Sequence, residues 1–225
     1  MHVSVSMAAA AAWLALTTGA VTAADQSEAD IIVDQSQRLV EEMMISGDRQ
    51  VPEGLMRQAA GIALIPAMLK GGLIIGASYG KGVVLQLAPE GWTGPAFISI
   101  SGGSLGLQIG GQSVDLILVI VGQDAANAFM RNEFKLGADA CLAAGPAGTR
   151  VSTATDIAFR GGIYSYSRAS GLFAGISIEG AVVSSLEDLN RAYYKDTGST
   201  AVILAGKVRP SESGQRLISV LNNVK

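Results

Sequence analysis

Histidine and cysteine each occur once in these 225 residues, as His2 and Cys141. One imidazole at the extreme amino end leaves the rest of the chain without the commonest general base, proton shuttle and transition-metal ligand. Zinc, copper and haem sites lose nearly all their usual donors, so the expectation is no metal and no cofactor. One thiol forbids an internal disulfide, and the apolar run Ala138-Asp139-Ala140-Cys141-Leu142-Ala143 predicts that Cys141 packs as a small core residue. Charge is scarce as well. Charged residues make up 16% of the chain and the net charge is −3, which gives no strong field for a nucleic-acid partner. Past residue 25 no apolar run approaches the roughly 20 residues of a spanning helix; Leu116-Ile117-Leu118-Val119-Ile120-Val121 suits a strand buried on both faces.

What is present begins with a short apolar segment. Met7 to Leu16 followed by Thr22-Ala23-Ala24 has the length and the small terminal residues of a secretory leader, although no Lys or Arg precedes it. The expectation is a signal peptide over 1–24, cleavage after Ala24, a single domain over 25–225 and a periplasmic or secreted location.

Glycine supplies the other excess. The stretch Gly71 to Gly111 holds 12 of the 28 glycines, and aliphatic residues alternate between them, as in Ala96-Phe97-Ile98-Ser99-Ile100-Ser101 and Leu105-Gly106-Leu107-Gln108-Ile109. Alternation of period two is a strand signal, and glycine inside a strand permits bends, bulges and close backbone approach. Strands are expected at Leu73–Ser78, Val83–Ala88, Ala96–Ser101, Ser104–Gly110, Val114–Val121, Gly162–Arg168 and Gly171–Ile178. Turns are expected at Pro89-Glu90-Gly91 and Gly94-Pro95 around Trp92, and at Gly145-Pro146-Ala147-Gly148.

Helical spacing appears at both ends. Ile32, Leu39, Val40, Met43 and Met44 recur along Asp25–Ser46, with Ser27 and Asp30 as a capping box and an acidic open face. Shorter helices are expected at Pro52–Ala60, at Asp124–Phe134, and from Ser185 through Tyr194. A final one opens at Ser211 or Ser213, with Leu217, Ile218 and Leu221 inward; Thr200–Ala205 fits strand or helix. The resulting fold class is α+β: one domain with a glycine-rich, strongly bent antiparallel or mixed sheet, barrel- or sandwich-like, packed with N- and C-terminal helices.

Two motifs touch on chemistry. Gly102-Gly103-Ser104-Leu105-Gly106 matches a nucleophile elbow, but Ser104 has no histidine to take its proton, and a partnership with Lys70 or Lys81 has no spacing to support it. Gly76-Ala77-Ser78-Tyr79-Gly80-Lys81-Gly82 is one residue short of a phosphate loop and has Gly82 where Ser or Thr would bind magnesium, so it reads as a turn or bend between strands.

Several segments in one order resemble the SYLF domain, named for lipid-binding proteins of yeast actin patches and their animal and plant relatives. They are Ala60-Gly61-Ile62-Ala63 with Pro66 and Lys70-Gly71-Gly72, Tyr79-Gly80-Lys81-Gly82, Gly91-Trp92-Thr93-Gly94-Pro95-Ala96-Phe97, Gly106-Leu107-Gln108-Ile109-Gly110, Gly145-Pro146, and Tyr164-Ser165-Tyr166-Ser167 leading into Gly171-Leu172-Phe173-Ala174-Gly175. The similarity spans about residues 30 to 222. It implies a non-enzymatic domain that binds phospholipids or a membrane surface. Actin binding, reported for eukaryotic members, is not expected of an exported chain with an acidic first helix. Candidate headgroup cations are Lys70, Lys81, Arg160 and Arg168, each beside glycines whose amides can help hold an anion. Trp92 is a candidate interfacial aromatic, with packing under the sheet as the alternative. The competing functions are a cell-envelope module with a structural role or one that interacts with another envelope protein and, third, a hydrolase using Ser104.

Overall fold

Four long strands carry the molecule: β1 (Ala59–Gly72), β2 (Ile75–Ala88), β3 (Gly91–Leu105) and β4 (Gly110–Val121). Shorter strands follow: β5 (Glu133–Lys135), β6 (Leu142–Ala144), β7 (Gly162–Ala169), β8 (Leu172–Gly175) and β9 (Val182–Ser185). The helices are α1 (Ala23–Ile45), α2 (Glu53–Arg57), α3 (Gln123–Ala128), α4 (Glu187–Tyr194), α5 (Thr200–Leu204) and α6 (Glu212–Asn222). The structure is a computed structural model describing residues 23–45, 51–72, 75–105, 110–146, 161–169, 172–195 and 197–224.

The strands form one curled sheet in the order β5-β9-β3-β2-β1-β4-β7-β6, with β8 also on β7. Its pairings are antiparallel except β6 with β7, so the class is α+β with a mixed sheet, as expected. Register settles the two faces. Phe97, Val83, Leu64, Ile117 and Tyr166 lie opposite one another across β3, β2, β1, β4 and β7 and share one face. Ala96, Val84, Ala63, Leu118 and Ser165 share the other. All ten are buried, which is why β4 reads as an unbroken apolar run.

Helices cover the Phe97 face. Tyr193 of α4 packs edge-on against Phe97, with ring centroids 5.2 Å apart, and the Asn190 carboxamide accepts the Phe97 N–H at 2.7 Å. Asn190 donates in turn to the Gly198 carbonyl and to Thr200 Oγ1, so α4, α5 and β3 share one satisfied polar centre. α1 buries Ala29, Ile32, Val33, Ser36, Leu39, Val40 and Met43, a single stripe at helical spacing.

Pro66 explains why β1 escapes a reading by alternation. Proline gives no ladder hydrogen bond and sits in strands chiefly at edges and bulges. Between Leu64 and Leu69 the register against β2 slips, with five steps on β1 opposing four on β2, and a matching slip against β4 lies between Ile65 and Met68. Ala67 adopts φ 52°, and its freed N–H donates to Asp115 Oδ1 at 2.9 Å. At this bulge the two backbones close up. A Cβ on Gly82 would stand 2.1 Å from the Leu64 carbonyl oxygen, so only glycine fits there.

Other expectations change. Tyr79-Gly80-Lys81-Gly82 is the middle of β2 rather than a turn, and Gly94-Pro95 and Gly102-Gly103 lie inside β3, whose length absorbs them. The segment expected to be helical over Asp124–Phe134 splits into α3 and the strand β5, and Pro52–Ala60 yields only the short α2 before β1 starts. Ser27 lies within α1 rather than capping it, and Asp30 accepts a hydrogen bond from Ser213 Oγ at 3.0 Å. Ser185 bonds Thr200 instead of capping α4, whose N-cap is Leu186. Cys141 is exposed, because the short β6 that follows it is an edge strand. The segments expected at Leu73-Ile74 and Gly106–Ile109 and the turn residues Ala147-Gly148 lie outside the described residues.

Candidate functional site at the open end of the sheet

The four long strands outrun the helices. From Met68 to Gly72, Ile75 to Gly80, Ser101 to Leu105 and Gly110 to Val114 they form an end of the sheet that is rich in glycine and serine, with Lys70 the one charged residue in those spans. Leu69 and Tyr79 are cross-strand partners here, and they are 63% and 47% exposed. Ser101 lies opposite Tyr79 and Ser113 opposite Leu69; both serines are exposed on the same face. Lys70 points to the other face, opposite Ser78 and Gln112. Half-burial pushes its ammonium pKa down by desolvation, and it makes no ion pair with any described residue.

The other candidate cations have different surroundings. Lys81 Nζ is 2.5 Å from Glu28 Oε1 on α1. Arg168 is paired with Glu42 on α1 and lies 3.5 Å from Asp115 Oδ2. Two cations spaced across the sheet from β2 to β7 therefore answer two acids about 21 Å apart along α1, at about 1.5 Å of rise per residue. The acidic face of α1 is thus turned partly inward, against basic residues of the sheet. Arg160 and the side chain of Ser104 lie outside the described residues. Trp92 is 6% exposed and belongs to the core, so the structure selects packing and not an interfacial position for it.

Catalytic geometry is thin. Among the described residues no cluster of three His, Cys, Asp or Glu side chains is arranged to hold a metal ion. One hydroxyl chain ends on a carboxylate: Ser211 Oγ donates to Tyr193 OH at 2.6 Å, Ser211 and Ser213 are 2.9 Å apart, and Ser213 donates to Asp30. Burial raises the Tyr193 pKa, which keeps the phenol protonated and removes it as a base. This network ties α1, α4 and α6 together.

Two clefts lined by described residues are small. One of about 220 Å³ lies between α1 and the bulge, beside Gln35, Arg38, Glu42, Asp115 and Arg168. Another of about 210 Å³ lies beside Gln123, Asp139 and Cys141. Both fall below the roughly 300–1,000 Å³ of sites that enclose drug-sized ligands. No described helix is long and apolar enough to cross a membrane. Sequence reasoning found Lys70 through its glycines but missed Leu69 and Tyr79. Their pairing depends on the bulge at Pro66, and nothing in the linear order announces it.

Comparison with known proteins agrees with the architecture. Residues 101–224 match the family model described as Ysc84, Las17-binding protein actin regulator. The chain is 29% identical over 184 residues to LAS seventeen-binding protein 3 of Saccharomyces cerevisiae, covering 80% of this chain and 40% of that protein. It is 32% identical over 180 residues to SH3 domain-containing YSC84-like protein 1 of Xenopus laevis, covering 78% and 53%, and 30% identical over 178 residues to the Rattus norvegicus protein of the same name. The chain therefore spans about two-fifths to one half of these relatives.

Proposed function

The chain belongs to the Ysc84 (SYLF) family, and on that premise we propose that it is a non-enzymatic module that binds phospholipid or similar anionic amphiphiles at its surface. One observation carries this reading. Lys70 is a half-buried ammonium with lowered pKa and no carboxylate partner among the described residues, in an end of the sheet that offers serine hydroxyls and glycine amides around it. Desolvation disfavours that charge, and a phosphate brought alongside restores it. Lys81 and Arg168 hold α1 instead and act in fixing the fold. The two clefts lined by described residues, of about 210 and 220 Å³, are too small to enclose a lipid, which favours surface contact there. With cleavage after Ala24, the site of action is the periplasm or the medium, and the surface met there is a lipid bilayer.

Vesicle flotation tests this. The protein is expected to float with phosphatidylglycerol vesicles at low salt and to lose binding as salt rises, and Lys70→Gln is expected to weaken it several-fold. Recovery of the protein in the unbound fraction for every headgroup and salt condition would refute the function. The second reading is a protein-interaction module, favoured by the binding and regulatory names of the relatives. It gains if the protein ignores vesicles yet retains a defined envelope protein in crosslinking. A Ser104-dependent hydrolase is not advanced, because no histidine follows His2 to take the serine's proton.

A further inference from the structure

We propose that the Leu69–Tyr79 face of the open end is a shallow bilayer-docking wedge, with the two side chains entering the interfacial layer while Lys70, on the opposite face of the same strand, meets a lipid phosphate. This rests on the phospholipid reading above and adds the face, the depth and the residues.

Exposure sets the starting point. Of the large apolar side chains described, Ile31, Leu69 and Tyr79 are the exposed ones, and two of those three are adjacent across a strand pair. Every other large apolar side chain described on the long strands is at least partly buried, so this pair is the exception. Leucine beside tyrosine suits a boundary between hydrocarbon and water, since the tyrosine ring is apolar and its hydroxyl is wet. Ser101 and Ser113 flank the pair on the same face and give hydroxyls for the headgroup layer.

Charge selects the occupant. The described spans of this end hold one base and no acid. That complements a surface of lipid phosphates, whereas a partner protein or a second copy is ordinarily registered by paired charges of both signs around an apolar centre. The nearest acids on this face, Glu28 and Asp115, are already engaged with Lys81 and with Ala67 and Arg168.

The backbone limits depth. β9 covers β3 only over Ile98–Ser101, and β7 covers β4 only over Asp115–Val121. Beyond those points the outer edges of β3 and β4 have no strand partner among the described residues. Unpaired edge amides and carbonyls require water or headgroups, so the end cannot pass into the hydrocarbon core. Contact at the acyl boundary, about 5–10 Å deep, is what remains.

The test is a site-specific probe on the chain that follows cleavage after Ala24. Leu69→Cys in a Cys141→Ser background carries an environment-sensitive nitrobenzoxadiazole label and is mixed with phosphatidylcholine–phosphatidylglycerol vesicles. The label is expected to shift to the blue and to be quenched more by headgroup-level than by deep spin labels; the same label at Arg57→Cys on α2 should stay unchanged. Leu69→Ser with Tyr79→Ser should lower vesicle affinity about tenfold while the thermal midpoint holds. Should the unlabelled protein float while the label at position 69 stays silent and the double variant binds normally, the wedge fails and the lipid reading survives. Should the protein float with no vesicle, the lipid reading itself fails. A concentration-dependent dimer abolished by the double variant would assign this face to a second copy and overturn the proposal.

Discussion

The same four strands pass through two environments. In their covered half, both faces of β1 to β4 are buried, helices seal one of them, and the Phe97 and Ala67 N–H groups are answered by Asn190 and Asp115. In their open half, glycine and serine are frequent, and among the described residues two large apolar groups face solvent and one ammonium stands without a carboxylate. Strand length alone does not require burial. A sheet held firmly at one end can present the other as a surface, and the stability of the first half supports the exposure of the second.

Glycine substitutions break this comparison most sharply. Gly82→Ala drives a methyl into the Leu64 carbonyl and the Ile65 Cα and should lower unfolding free energy by upward of about 4 kcal/mol in denaturant titrations. Gly71→Ala, in the open half, meets nothing within 4 Å and should change stability by less than about 1 kcal/mol. Equal losses at both positions would show that the two halves are packed alike.

Next is Asn190→Ala, which strands the buried Phe97 N–H, the Gly198 carbonyl and Thr200 and should cost about 3 kcal/mol, measured the same way. Alkali acts on the covered half too. Burial raises the pKa values of Tyr166, Tyr193 and Tyr194, so the folded state keeps protons that the unfolded chain releases above pH 10. Their stabilising effect is complete below that pH and is lost as pH climbs. Unfolding free energy should fall by roughly 1–2 kcal/mol over the first unit above pH 10. A flat profile there would mean that these phenols are solvated.

The smallest effect belongs to the open half. Lys70 has a folded pKa below its unfolded value, so its protonated form slightly opposes folding at neutral pH and the opposition fades as pH rises through the folded pKa. Lys70→Met should leave the thermal midpoint unchanged or raise it by the equivalent of a few tenths of a kcal/mol, given partial exposure. It should still weaken vesicle binding. A marked loss of stability would place Lys70 among the structural cations with Lys81 and Arg168.

Much of the fold is legible in the linear order. α1 shows itself by Ile32, Leu39, Val40 and Met43, α6 by Leu217 and Leu221, and β4 by six consecutive aliphatic residues. β1 stays hidden because Pro66 argues against a strand, while the bulge that accommodates it is made by β2 and β4. The continuity of β2 stays hidden because Gly80 and Gly82 read as turn residues when their purpose is close approach. The segment after α3 reads as helix through Phe129 and Phe134, whose rings do meet, edge-on at 4.8 Å, but from a turn and a strand. The site was half legible: the cations stood out beside their glycines, and the apolar pair did not.

By itself, the amino-acid sequence determined composition, period and family: too little histidine and cysteine for most metal or triad chemistry, a glycine-bent sheet, amphipathic helices at the ends, and a SYLF likeness carried by motifs in order. Tertiary structure alone decided which cations α1 neutralises, that Trp92 is core, and that Leu69 meets Tyr79 in the open. The reason is physical. Helix and strand periods are local properties of the chain, whereas ion pairing, burial and cross-strand register depend on residues tens of positions apart, brought together only when the sheet closes around its bulge.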